Sequence, residues 1–164
     1  LLAIRDIAEL RAASGEYSVI LDIEEDVPFL PSSLVGQRTL FVATGTVDAA
    51  VDLSGLGPQA VRVTEDGTSV TVTLPPATLT PPRIDPDGSY VYSRDQGLLD
   101  RVAGAVTGDT PDEQALYQQA EAMLAEAAEA SDLQDRAEAN TAQVLSTLLE
   151  SLGFDDVTVD YAQG

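Results

Sequence analysis

The chain has 164 residues, 44% of them hydrophobic, with 28 Asp and Glu against 8 Arg, for a formal charge of −20. It contains no His, no Cys and no Lys, which removes imidazole and thiolate catalysis, disulfides, Schiff bases and the lysine of a phosphate-binding loop. The acidic balance repels phosphate backbones and anionic head groups, so nucleic acid is excluded as a partner.

The length suits a single domain over residues 1–164, and a mean hydropathy near zero supplies a core. Residues 1–104 hold 15 acids and 7 arginines, whereas residues 105–164 hold 13 acids and only Arg136, so the C-terminal part is the more electronegative. Acidic side chains at this density keep a protein dispersed; cation binding or a basic partner are the functional alternatives. The chain opens Leu1-Leu2-Ala3-Ile4-Arg5 without an initiating Met, and an upstream targeting segment is expected. No internal run reaches the roughly 18 apolar residues of a membrane span.

In chain order, Leu2, Ile7, Leu10 and Ala13 near helical spacing predict a short N-terminal helix over 1–13, ended by Ser14-Gly15. Tyr17, Val19, Leu21 and Ile23 then alternate with Ser18, Ile20 and Asp22 as a strand, closed by Glu24-Glu25-Asp26 and Pro28. A longer β region runs from about Val35 to Leu53. Within it Thr39, Phe41, Ala43 and Gly45 face one way, and Leu40, Val42, Thr44, Thr46, Val47 and Val51 the other. Gly45 and Ala49-Ala50 suggest a bulge or close backbone approach. Val61–Thr64 and Val70–Leu74 form a hairpin around Glu65-Asp66-Gly67-Thr68. Five prolines between Pro75 and Pro86 make an extended connection, and the turn Asp85-Pro86-Asp87-Gly88 leads into a short strand over Ser89–Ser93.

The C-terminal third is helical. Thr110-Pro111-Asp112-Glu113 starts the first helix and Ser131-Asp132-Leu133-Gln134 the second, each in the pattern of a capping box. The expected apolar stripes are Leu116, Ala120, Met123, Ala127 and Ala130 on the first, and Ala137, Thr141, Val144, Leu148 and Leu152 on the second. Gly153 stops the second helix, and a last strand covers about 156–161. The fold class is α+β: a mainly antiparallel sheet, an N-terminal helix, two C-terminal helices packed on the sheet and a final strand. Its β-rich part spans about 15–95 and its helical part about 111–152.

Three pieces in order carry a resemblance: Phe41–Ser54, Val72-Thr73-Leu74-Pro75-Pro76-Ala77, and a tail with Ala120, Glu121, Ala137, Asn140, Leu149, Leu152-Gly153-Phe154 and Val157-Thr158-Val159. Together they resemble the bacterial domain-of-unknown-function family 4230 over roughly residues 3–161. The resemblance implies no activity, catalytic residue or cofactor. It implies a domain placed outside the cytoplasmic membrane, behind one N-terminal helix that would precede Leu1. The Lys-free, Ala/Asp/Val-rich composition is similar to that of actinobacterial proteins.

The acidic groups are weighed as sites. Asp85 and Asp87 offer two carboxylates to Ca²⁺, but the further oxygen ligands and distal glutamate of an EF-hand are absent, and a turn explains the same residues. Glu24, Glu25 and Asp26 either bind a cation or blunt a strand end; Asp155-Asp156 reads alike. Asp48 and Asp52, four apart in an apolar strand, match a carboxylate pair for glycoside hydrolysis only if a cleft brings them together. Strand termination and hydrogen bonding explain them more simply. Tyr90 and Tyr92 read as sheet packing, Asn140 as a buried residue fixing helix–sheet register, and the arginines before residue 105 as partners of nearby acids. No catalytic, cofactor or metal residue is assigned. The leading expectation is a non-enzymatic, membrane-tethered binding or assembly domain with a protein partner. The alternatives are a carboxylate-dependent hydrolase, with or without a divalent ion, and a Ca²⁺-dependent scaffold module.

Overall fold

The computed structural model describes residues 9–24, 37–96 and 113–162. They form seven strands, β1 (Glu9–Glu24), β2 (Gln37–Asp52), β3 (Val61–Val63), β4 (Ser69–Leu74), β5 (Thr78–Leu79), β6 (Arg83–Gln96) and β7 (Asp156–Tyr161). Two helices, α1 (Glu113–Glu129) and α2 (Leu133–Ser151), lie between β6 and β7, and a 3₁₀ turn spans Pro58–Ala60. One sheet is built on β2, flanked by β1 and by β5 and β6; a second has the order β3-β4-β7. The class is α+β with mostly antiparallel pairing, the exception being β7, which runs parallel to β4 from Ser69↔Asp156 to Leu74↔Tyr161.

The described residues fall in two compact units. The unit of Glu16–Thr46 and Pro81–Ala127 holds the C-terminal part of β1, the first part of β2, β6 and most of α1. Leu21, Phe41 and Ala43 of the strands meet Leu116 and Ala120 of α1 in its core, with Val19, Ile84 and Met123 around them. Phe41 and Tyr117 contact edge to face, ring centroids 5.7 Å apart. The buried stripe of α1 is Leu116, Ala120, Leu124 and Ala128, at four-residue intervals. Met123 and Ala127 flank it and Ala130 is exposed.

The strand phase expected for 17–22 holds: Tyr17, Val19 and Leu21 point inward, and Ser18, Ile20 and Asp22 outward. Gly45 is a close approach, as its place in an apolar strand suggested. A Cβ there would stand 2.7 Å from Leu124 Cδ1 and 2.9 Å from the Arg83 carbonyl oxygen. The register irregularities of β2 lie elsewhere, at Arg38/Thr39 and Val42/Thr44.

The second of these corrects the expected short strand over Ser89–Ser93, which is part of one long strand around the Asp85–Gly88 turn. Val42 pairs with Tyr90 and Thr44 with Asp85, so Pro86–Ser89 loop out within one long β6. Ser89 repairs the ladder: its Oγ accepts the Thr44 N–H at 3.1 Å and donates to the Asp85 carbonyl at 2.6 Å. Both groups would otherwise lack a strand partner.

The unit of Leu1–Gly15, Val47–Thr80 and Ala128–Gly164 corrects the opening of the chain. The helix expected over 1–13 is absent where it can be seen: residues 9–13 are strand, and Ser14-Gly15 continue it. Four apolar residues at near-helical spacing are a weak local preference, and pairing with β2 overrides it. Val47 also departs from the expected facing, because every residue from Val47 to Val51 is buried.

The hairpin of β3 and β4 is as expected, with Gly67 at φ +73° and Thr64 N–H donating to the Ser69 carbonyl at 3.0 Å. The proline-rich connection carries β5, which pairs Leu79 with Ala49. Just before it, Ala77 is clamped by α2. Gln134 Nε2 donates to its carbonyl at 2.8 Å, and Glu138 Oε1 accepts its N–H at 3.0 Å. Gln134 is therefore not the far half of a capping box. Ser131 Oγ accepts the Leu133 N–H at 3.2 Å just ahead of the helix, while the N-cap residue Asp132 makes no side-chain cap bond.

The buried stripe of α2 is Leu133, Ala137, Thr141, Leu145 and Leu149. Beyond Thr141 it departs from the expected Val144, Leu148 and Leu152, of which Val144 and Leu152 are exposed. Gly153, at φ +101°, ends the helix in a Schellman arrangement. Its N–H donates to the Glu150 carbonyl at 3.0 Å and that of Phe154 to the Leu149 carbonyl at 3.4 Å. Asn140 is exposed rather than buried, yet it ties helix to sheet, Nδ2 donating to the Ala12 carbonyl at 2.8 Å.

The Gly45 contact yields a stability prediction. Gly45→Ala should lower stability by about 1–3 kcal/mol, because the opposing carbonyl cannot retreat without breaking β2–β6 pairing. Gly55→Ala, where a Cβ meets nothing within 4 Å, should stay within about 0.5 kcal/mol in the same urea titration.

Candidate functional site

An acidic chain invites a search for carboxylates held together, beginning with Asp48 and Asp52 of β2. Asp48, 6% exposed, lies in β2 with its Oδ1 accepting the Ser14 hydroxyl at 2.7 Å and its Oδ2 3.6 Å from Arg11 Nη1. Arg11 also meets Glu9 at 3.4 Å, which is the arginine pairing expected of this half. The backbone of Asp48 is bound on both sides to Thr80, N–H to Oγ1 at 3.2 Å and carbonyl to N–H at 2.8 Å. Asp52 is exposed, and its Oδ1 accepts the Ser54 N–H at 2.8 Å. The Ser54 hydroxyl first, and then this N–H, hold its pKa below the ordinary carboxylate value. One carboxylate is buried and the other faces water, so no glycosidase-like pair exists here.

Asp52 lines a shallow cleft of about 340 Å³ with Gln59, Thr73, Leu56, Leu74 and Pro75. It is the one titratable side chain among the described residues of that wall, so the cleft offers an ionised acceptor and no acid–base couple.

Asp85 and Asp87 lie exposed on the looped part of β6, with Asp85 Oδ1 taken by the Asp87 N–H at 3.0 Å. Glu24 is the last residue of β1, while Glu25 and Asp26 lie outside the described residues. Asp155 and Asp156 both direct their backbone N–H to the Thr68 carbonyl, at 2.8 and 3.3 Å, and expose their side chains. Among the described residues no group of three acidic side chains is arranged to hold a metal ion. None of their helices is long and apolar enough to cross a membrane.

The feature that sequence reasoning missed is a sheet face. Tyr90 and Tyr92 are 58% and 52% exposed, not packed. They pair across β6–β2 with Val42 and Leu40, and their neighbour Val91 pairs with buried Phe41. On the other side of β2, Ser18 Oγ lies 3.0 Å from Thr44 Oγ1, and Ser14 meets Asp48 further along. The two contacts advance in opposite directions, as antiparallel strands require, and they set Ile20, 62% exposed, in the row of Val42 and Tyr90. Helix α1 covers the opposite face of these strands. A signal was present in β2, whose Leu40 and Val42 alternate with Phe41 and Ala43. A strand apolar on both faces calls for two coverings, and the described residues of this unit supply one helix.

An α+β domain whose described residues carry an open apolar face and no assembled acid–base centre is the class of protein defined here. The chain belongs to the family described as Protein of unknown function (DUF4230), which it matches over residues 3–159. No curated protein and no solved structure matches it.

Two outcomes follow. Asp48→Ala should cost about 1–3 kcal/mol by stranding the Ser14 hydroxyl and Arg11, and Asp52→Ala clearly less, by urea unfolding. Tyr161 supplies a pH prediction. Its phenol donates to the Glu138 carbonyl at 2.7 Å, and its pKa is raised to about 12 by burial and by the Glu138 carboxylate, with Thr141 pulling it partly back. Below pH 10 the phenol is neutral in both states. Above it the unfolded chain ionises first, so stability falls as pH rises from 10 towards 12. Allowing for partial exposure the loss is about 1 kcal/mol, and Tyr161→Phe should flatten that limb of the stability–pH curve.

Proposed function

We propose that this domain acts by binding a protein partner, without making or breaking covalent bonds, at the extracytoplasmic face of a membrane to which an upstream segment tethers it. The observation that carries the binding reading is the sheet face of Ile20, Tyr90 and Tyr92, three large side chains each more than half exposed in adjoining cross-strand rows. Scattered exposed apolar residues are ordinary on any surface; clustered tyrosines beside aliphatic neighbours are typical of recognition sites. The tether and its location rest on what the family resemblance implies and on a charge of −20, which keeps the domain itself off anionic head groups.

The test uses the full-length natural protein in its own cells, with a photo-crosslinking amino acid in place of Ile20 and, as a control, in place of exposed Val144. A discrete adduct at position 20 and none at 144 is the expected result. Equal labelling at both positions, or none at position 20, overturns the binding reading. Protease added to intact cells should degrade the domain; protection until lysis overturns the location.

A further inference from the structure

Resting on the binding reading above, we infer that the segment docked on the Ile20–Tyr90–Tyr92 face is a basic polypeptide, carrying Arg or Lys between aliphatic side chains. The rows of the face define the chemistry. Ile20, Val42 and Tyr90 form one row, an apolar strip across three strands, and Leu40 and Tyr92 share the next with the outward-facing Asp22 of β1. Beside the strip comes a polar row of Ser18, Thr44 and Asp85, with Asp87 exposed on the adjoining loop.

The exposed Asp85 carboxylate accepts the Asp87 N–H through Oδ1. That border of the strip carries two carboxylates, with Arg83 one row further along, opposite Thr46. The tyrosine rings present electron-rich faces, and among the described residues no arginine stacks on them. An aliphatic side chain on the strip and a guanidinium or ammonium over Tyr90, reaching Asp85 or Asp87, satisfies both halves of the surface.

The same charge decides against other occupants. A second copy would bring −20 against −20 with no lysine on either side. Anionic lipid and nucleic acid are repelled by the same field. A basic segment is attracted at long range and then held by side chains that need water excluded.

The experiment compares three synthetic 12-residue peptides by calorimetric titration: one alternating Arg with Leu and Ile, one with Glu in place of Arg, and one alternating Arg with Ser. The expected result is saturable binding of the first alone, weakened about tenfold or more by Tyr90→Ser with Tyr92→Ser. Asp85→Asn with Asp87→Asn should weaken binding and reduce its salt dependence. Asp155→Asn with Asp156→Asn, the same charge removed in the other unit, should change neither. Circular dichroism and the thermal midpoint check that the exposed variants still fold.

Equal binding of the Arg/Ser peptide, or no effect of the tyrosine substitutions, reduces the attraction to bulk charge and overturns the inference. Equal binding of the Glu peptide overturns it too, leaving an apolar surface without charge preference. In the cellular crosslinking, an adduct at position 20 to a non-basic protein sinks the inference while binding survives. An adduct to residues 25–36 or 97–112 of the same chain sinks both.

Discussion

A strand whose neighbours exclude water must find hydrogen-bond partners for its backbone groups, and β2 runs 16 residues among such partners. It does so with β1 on one side and with β6 and then β5 on the other. Each irregularity nearby answers the same demand. Where β6 loops out at Pro86–Ser89, a serine hydroxyl stands in for the missing ladder group at Thr44. Between β4 and β5, where Ala77 is buried without a strand beside it, two α2 side chains four residues apart take its N–H and carbonyl. Gln134 and Glu138 thus act there as a strand would, which gives them a structural use that helix charge patterns do not disclose.

The acidic residues obey a comparable local rule. Asp52, Asp66 and Asp85 each accept the N–H two residues ahead, from Ser54, Thr68 and Asp87. This is the Asx-turn bond, in which a short carboxylate replaces a backbone acceptor at a change of direction. Asp66 also takes the Thr64 hydroxyl at 2.6 Å, and its pKa is lowered chiefly by that bond. Asp48 is the buried exception, with a hydroxyl and a guanidinium gathered around it. Carboxylates employed one by one to close turns are not free to converge on a substrate. Much of the negative charge is therefore compatible with turn-making and solvation.

Strong local signals were legible. The Asp-Gly hairpin, the long strand around Phe41–Val51, the Ser131 start and Gly153 stop of α2, and the final strand are fixed by residues that act on their own backbone. Long-range competition was not legible. Residues 9–13 look weakly helical alone and become strand because β2 needs an edge. After Thr141 both Val144 and Leu145 are apolar, and only the packed structure selects four-residue spacing. The family was readable from residues spread over the whole chain, while the open face was not. Tyr90 and Tyr92 have the pattern of core residues, and exposure is decided by which neighbours arrive.

That last point bears on function. In β2, Phe41 and Ala43 are covered by α1, whereas Leu40 and Val42 on the reverse face are only half-buried by flanking strands. If solubility alone had shaped this surface, Thr or Glu at 20, 90 and 92 would keep strand structure without exposing apolar area, as Ser18 and Thr44 do one row away. The acidic excess lies mainly in the C-terminal third, with 13 acids against Arg136. A sheet face that groups Ile20, Tyr90 and Tyr92 and has aspartates beside it brings adhesion and repulsion side by side. That juxtaposition is what the proposed reading, a partner of opposite charge, requires of the surface.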